Sequence, residues 1–359
     1  MANQPQISAT NRKYVSPSFT DTDPYYSTIQ NAINSLGSGY PSTPWGIYIY
    51  PGVYNESLTL KSNVSLIGSG IGSTIVKGTG SSAAIQGTTD SGGGNCYIVG
   101  LSIDGNGQSC VQLPASSTSE QVFFFDVYLY TSVTSGGAAV TVGNNQTLFV
   151  FNMHCVNLST KFNEGIATSG NAQLRIHNSQ IAYTNSYCID HQSSQYSEAY
   201  NSFLVGGACC YCSSGVVNFY VCQTVGSINA YSSSKIKHVD SFHANQIIAN
   251  DSSTIWISGM QWAEEAGNDI QIVLNGSSKV VLANSRAKVI TNALNVVTVN
   301  SQTATFKAIN SVIVNTGSGA TITGVSGATI YLYYCVMDKD INTVSKSSDS
   351  VYIVTTNSE

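Results

Sequence analysis

The chain has 359 residues and a net charge of −5, with 9% charged against 42% hydrophobic residues. It can bury a core, so it is no disordered polyelectrolyte, and with Lys and Arg scattered along it, nucleic acid is not an expected partner. No apolar run reaches bilayer-spanning length, so membrane insertion is not expected either.

Residues 1–22 are polar and irregular and read as an N-terminal arm. The opening MANQPQISATNRKY lacks the apolar stretch of a secretory signal. Asp23-Pro24 reads as an N-cap followed by proline at the first helical position, and Ile29, Ile33 and Leu36 share one face before Gly37. A helix is therefore expected over about 24–36, where it would cover the apolar end of a stack.

The chain then becomes periodic. Cys96, Val122, Leu148 and Leu174 stand 26 residues apart, and each opens a short strand. Four residues later come Gly100, Asp126, Asn152 and Asn178. Asp240, Gly259, Asn284 and Asn310 repeat that place further on. These residue types tolerate the left-handed backbone of a sharp bend between strands. Another strand series runs eight residues before the anchors, for example Val140, Ile166, Cys209 and Ile228. The eight-residue step stays constant while the anchor spacing varies from 19 to 26. A fixed turn plus an elastic loop predicts an all-β solenoid, a single-stranded right-handed parallel β-helix of about eleven or twelve rungs filling residues 23–359. The tail VYIVTTNSE offers one more strand.

The helix segment TIQNAIN, followed by IYIYPGVYNESLTL and VSLIGSG over roughly residues 27–80, resembles the opening of pectin methylesterases. This implies the pectin-lyase-like superfamily of right-handed parallel β-helices, whose enzymes act on polysaccharides in a groove along one face. The esterase motifs around the two catalytic Asp and the Arg are missing, as are those of the polygalacturonases. Arg12, Arg175 and Arg286 lie too far apart in the repeat to serve a lyase.

Two acidic clusters remain as candidate chemistry. Asp190-His191, with Glu198 downstream and Tyr211 expected on the neighbouring rung, could pair an acid with a base. Trp262, Glu264, Glu265 and Asp269, with Asp240 and His243 one rung earlier, could hold a sugar or a cation. The candidate catalytic residues are thus Asp190, His191, Asp240, Glu264 and Glu265, and the candidate binding residues Tyr211, Trp262 and Glu198. The nine cysteines fit no zinc spacing and read as buried thiols, so no metal site and no cofactor is expected.

Two functions compete. The first is a non-catalytic structural or adhesive component of a virion, tail spike or surface. It would be made in the cytoplasm without a cleaved signal peptide, self-assemble with a trimer favoured or join other virion or surface proteins, and bind a glycan. The second is a carbohydrate-active enzyme (hydrolase, lyase or esterase) using the residues above.

Overall fold

A computed structural model describes residues 11–36, 44–87, 94–134, 137–156, 162–262, 270–289, 294–316, 318–325, 327–337 and 352–355. The chain divides into two compact units, Met1–Gln195 and Tyr196–Glu359, each built of parallel strands.

In the first unit the anchor strands pair in the sequence Asn11–Val15, Trp45–Ile49, Val64–Gly68, Asn95–Asp104, Glu120–Tyr130, Gln146–Phe151 and Gln173–His177. Cys96, Val122, Leu148 and Leu174 align in register, as the 26-residue spacing requires. The preceding series runs through Leu58–Thr59, Ile85–Gln86, Val111–Leu113, Ala138–Val142, Glu164–Gly170 and Gln180–Ser193. The following series runs from Gly52–Asn55 and Thr74–Lys77 to His154–Val156 and on to Gln180–Ser193. Three parallel series, joined by turns, make this unit a parallel β-helix, with neighbouring strands about 4.8 Å apart.

The second unit repeats the plan. Its anchor strands are Tyr196–Tyr200, Val216–Tyr220, Lys235–Val239, Thr254–Ser258, Lys279–Ala283, Thr305–Ile309, Thr329–Tyr333 and Tyr352–Thr355. Its preceding series aligns Cys210, Ile228, Ile247, Ile272, Val297 and Ile322. Cys210 takes the place expected for Cys209, because the register shifts between Ala208 and Cys210. Among the described residues each unit has six strands in this series, and the anchor series has seven in the first unit and eight in the second, together more than the eleven or twelve rungs expected.

Alternation sets the core. Ile98, Phe124, Val150 and Ile176 point inward in one unit, and Ile236, Ile257, Leu282 and Phe306 in the other; all are buried. Each such side chain contributes about 1.5–3 kcal/mol by leaving water. Eight of the nine cysteines are buried free thiols, and Cys335 is half-buried. The bend residues all adopt positive φ, from Gly100 at 62° through Asn152 at 54° to Asn310 at 47°. Asn152 Nδ2 donates to Asp126 Oδ1 at 3.1 Å, a link between stacked turns. Val221 and Tyr334, at 53° and 52°, hold the same backbone without a side chain suited to it.

Two expectations near the N-terminus change. The expected arm contains a strand: Asn11–Val15 pairs with Trp45–Ile49, because Val15 is buried beside Ile47 and Ile49. The helix is shorter than 24–36 and spans Ile29–Asn34. Tyr25–Tyr26 are taken into a strand beside Tyr14–Val15, so the helix begins only after Thr28, whose hydroxyl caps the Asn31 N–H. The Glu56 carboxylate accepts the Ile29 and Gln30 N–H groups at 2.9 Å each. Ile29, Ala32 and Ile33 pack against the first strands.

Candidate functional site

The strand Gln180–Ser193 carries Asp190 and His191. Ile189 aligns with inward Ile166, so alternation turns Asp190 to the outer side and His191 to the inner. His191 is fully buried, with Nδ1 2.9 Å from Thr168 Oγ1 and Nε2 3.1 Å from the Gln195 carbonyl. A carbonyl only accepts, so Nε2 carries the proton and Nδ1 accepts from the threonine. Burial lowers the His191 pKa to about 4 and keeps the ring neutral at pH 7. Asp190 and His191 therefore form no acid–base pair.

Asp190 has its own chemistry. It is 6% exposed, and its Oδ2 accepts from Gln192 Nε2 at 2.8 Å. Its Oδ1 is buried without a hydrogen-bond partner among the described residues. Burial raises its pKa. Glu164 is raised too, first by burial and then by the charge of Asp190. Sequence reasoning missed Glu164 because Ile166 and Ile189 are 23 residues apart in register, and the 26-residue period does not carry across them.

The other candidates scatter. Asp240 is exposed at a bend with φ 46°, and a Cβ added at Gly259 would meet its Oδ1, so its carboxylate lies over the next turn. His243 is fully buried, so it does not join Asp240. Its Nδ1 lies 2.8 Å from Thr224 Oγ1, and His238 Nε2 lies 3.1 Å from the same oxygen. That hydroxyl donates to the Phe242 carbonyl at 3.1 Å, so both rings donate to it. His238 Nδ1 and His243 Nε2 are left as buried acceptors without partners among the described residues. Burial lowers the pKa of His243 to about 4 and of His238 well below its ordinary value. Trp262 lies in the strand Gln261–Trp262; its side chain, like Glu264, Glu265 and Asp269, falls outside the described residues.

Glu198 stands beside Asn218 in register and accepts the Tyr200 hydroxyl at 3.3 Å. Asn218 Nδ2 donates to the Tyr196 and Tyr220 hydroxyls at 2.8 and 3.1 Å. Burial, with hydrogen bonds to Tyr220 and Glu198, raises the Tyr196 pKa. Tyr211 is half-buried with its ring 5.0 Å from that of Tyr231. Among the described residues, no group of three or more His, Cys, Asp or Glu is placed to hold a metal ion.

The outward side of the anchor strands differs between the units. In the first it is an aromatic double ladder. Tyr97, Phe123 and Phe149 stack at 4.8 and 4.6 Å, with the Arg175 guanidinium 5.4 Å from the Phe149 ring centre. Phe125, Phe151 and His177 stack at 4.8 and 5.0 Å. In the second unit the same side carries Lys235, Lys237, Trp256, Lys279 and Lys307, four of the cations that look scattered in the sequence.

No family model matches the chain, and no curated protein does. Among solved structures, the A-module of the mannuronan C-5 epimerase AlgE4 of Azotobacter vinelandii is 14% identical, with 91% of this chain and 95% of that one covered and a TM-score of 0.44. Pectin methylesterase PemA of Erwinia chrysanthemi is 14% identical over 96% and 93%, with a TM-score of 0.32. ORF18 of Geobacillus virus E2 is 13% identical over 91% of this chain and 58% of its own, with a TM-score of 0.31. The parallel β-helix rests on the strand registers themselves.

Proposed function

We propose that the chain is a non-catalytic structural or adhesive β-helix, a virion, tail-spike or surface component that assembles with further copies of itself, a trimer favoured. The aromatic double ladder of the first unit carries this reading. Its rings are half-buried and lie within 3–17° of parallel along Tyr97–Phe123–Phe149 and Phe125–Phe151. They turn their faces to one another and their edges outward. A sugar stacks on ring faces, and these are occupied. What remains is a ridged apolar surface without carboxylates, suited to packing against another copy. Replacing Phe123 and Phe149 by Asp should separate the copies while far-UV circular dichroism stays that of a β-helix. An unchanged mass for this variant would remove the ladder from the interface.

One observation favours the enzyme reading. Asp190 joins near-complete burial to an oxygen without a partner among the described residues and a raised pKa, the profile of a carboxylic acid poised to move a proton. Release of sugar or methanol from a polysaccharide by the chain, lost in Asp190→Asn with folding intact, would establish it. Activity that survives Asp190→Asn would exclude this carboxylate as the catalytic group.

A further inference from the structure

The first rungs of the stack carry a hollow that the aromatic ladder does not use. Tyr48-Ile49-Tyr50 on one rung gives way on the next to Ile67-Gly68-Ser69. The loss of bulk opens a cavity of about 160 Å³, lined by these residues and by Tyr14. Val15, Ile47 and Ile49 are buried, so alternation turns Tyr14 and Tyr48 outward. The cavity meets solvent at Ser69, which is exposed, and at Tyr50, which is 46% exposed. Pockets for drug-sized ligands begin at about 300 Å³, so a hollow of this size suits a small headgroup.

Five rings close an arc around it. From centre to centre, Tyr48 lies 5.8 Å from Tyr14, Tyr14 5.6 Å from Tyr25, Tyr25 5.2 Å from Phe19 and Phe19 5.6 Å from Tyr50. Phe19 meets Tyr25 and Tyr50 edge-on, at 74° and 77°. The arc thereby turns back on itself, and Tyr50 closes the cavity that Tyr14 and Tyr48 line. In the parallel ladder, by contrast, each face meets the next ring. Phe19 is fixed by a turn in which its N–H donates to the Ser16 carbonyl at 3.0 Å, so the walls stand before any ligand arrives.

The chemistry of the lining narrows the ligand. Among the described residues it carries no charged side chain. The Arg12 guanidinium, 5.4 Å from the Tyr48 ring centre, comes from the position aligned with Gly46, on the side of Tyr48 away from Tyr50. The Ser69 hydroxyl donates to the Ile49 carbonyl at 2.8 Å. A sugar brings hydroxyls that call for carboxylate and amide partners, and these side chains offer neither. A quaternary ammonium needs no hydrogen bond and is attracted by the negative faces of several rings at once. The net charge of −5 acts in the same direction. We propose that this cavity binds a small solute through a quaternary ammonium group, held among the Tyr14, Tyr48 and Tyr50 rings.

The inference goes beyond the assembly reading and uses strands that precede the ladder. It is read by ligand binding and the assembly by mass, so the two fail separately. The test is calorimetric titration of the full chain with choline and with its uncharged isostere dimethylbutanol, in which carbon replaces the nitrogen. Choline should bind saturably and the isostere about tenfold more weakly. Tyr50→Leu should weaken choline binding about tenfold, while Tyr50→Phe, which keeps the ring, should stay within about twofold of the parent. Tyr50 is exposed, and thermal melts should confirm that both variants fold. The proposal is overturned if choline does not saturate, if the isostere binds as well as choline, or if Tyr50→Leu binds as the parent does. It is also overturned if phosphatidylcholine vesicles capture the chain and free choline does not displace them.

Discussion

The outer sides of the two sets of anchor strands are built on the same alternation and reach opposite chemistries. In the first unit they stack Tyr97, Phe123 and Phe149 into a ladder that ends under Arg175. In the second they set four lysines around Trp256. The inner sides hardly differ: Phe124 and Val150 in one, Phe219 and Leu282 in the other, all buried. The rung constrains what points in and leaves what points out free, so function is to be sought outside the core.

That comparison can be attacked first at the core, where the units should behave alike. Phe124→Ala and Phe306→Ala each remove a fully buried ring and should each cost about 3–5 kcal/mol of unfolding free energy in urea. A large cost in one and a small one in the other would show that the inner sides are not equivalent.

Acid should separate the units. His238 and His243 in the second and His191 in the first have folded pKa values below the ordinary 6.5, two of them at about 4. A group with a depressed folded pKa contributes stability above its unfolded pKa and loses it as pH falls toward the folded value. Each histidine therefore lowers stability by up to about 1.4 kcal/mol per pH unit between pH 6.5 and 4. Asp190 and Glu164, with raised values, act in the opposite sense and soften the loss in the first unit. Urea unfolding between pH 7 and pH 5 should show the decline, and His243→Gln should make it shallower. An unchanged slope would mean that His243 is already charged or exposed.

The turn column offers a smaller effect of either sign. Val221 is β-branched, exposed and held at φ 53°, so Val221→Asn should raise stability by about 1 kcal/mol. Asn152→Ala, at φ 54°, should lower it by about as much. If Val221→Asn gives no gain in melting temperature, the strain assigned to that bend is absent. Smallest of all, Lys237→Gln should stay within about 0.5 kcal/mol of the parent in thermal melts, since an outward lysine without a carboxylate partner among the described residues adds little to folding.

Much of the scaffold was legible because its two requirements leave marks in the sequence. Inward positions must be apolar, and tight bends favour Gly, Asn or Asp, so Cys96 to Leu174 and Gly100 to Asn178 stand out. The bends at Val221 and Tyr334 were not legible, because the surrounding strands hold a backbone that those side chains disfavour. The register shift before Cys210 was hidden because Cys209, Cys210 and Cys212 are all small and all buried. The candidate site was less legible. Adjacency in sequence suggested Asp190 with His191, but strand alternation turns them to opposite sides; of the two residues grouped with the Trp262 loop from one rung earlier, Asp240 is exposed at a bend and His243 is buried. The lysine face escaped notice because its residues come from strands at unequal spacings, and only the register brings them into rows.

Sedimentation equilibrium of the full chain and of Phe123→Asp/Phe149→Asp tests the assembly claim most directly. The account predicts a multiple of 37.9 kDa, with three copies favoured, for the parent and the single-chain mass for the variant. A parent that stays at 37.9 kDa across the concentration range would contradict it.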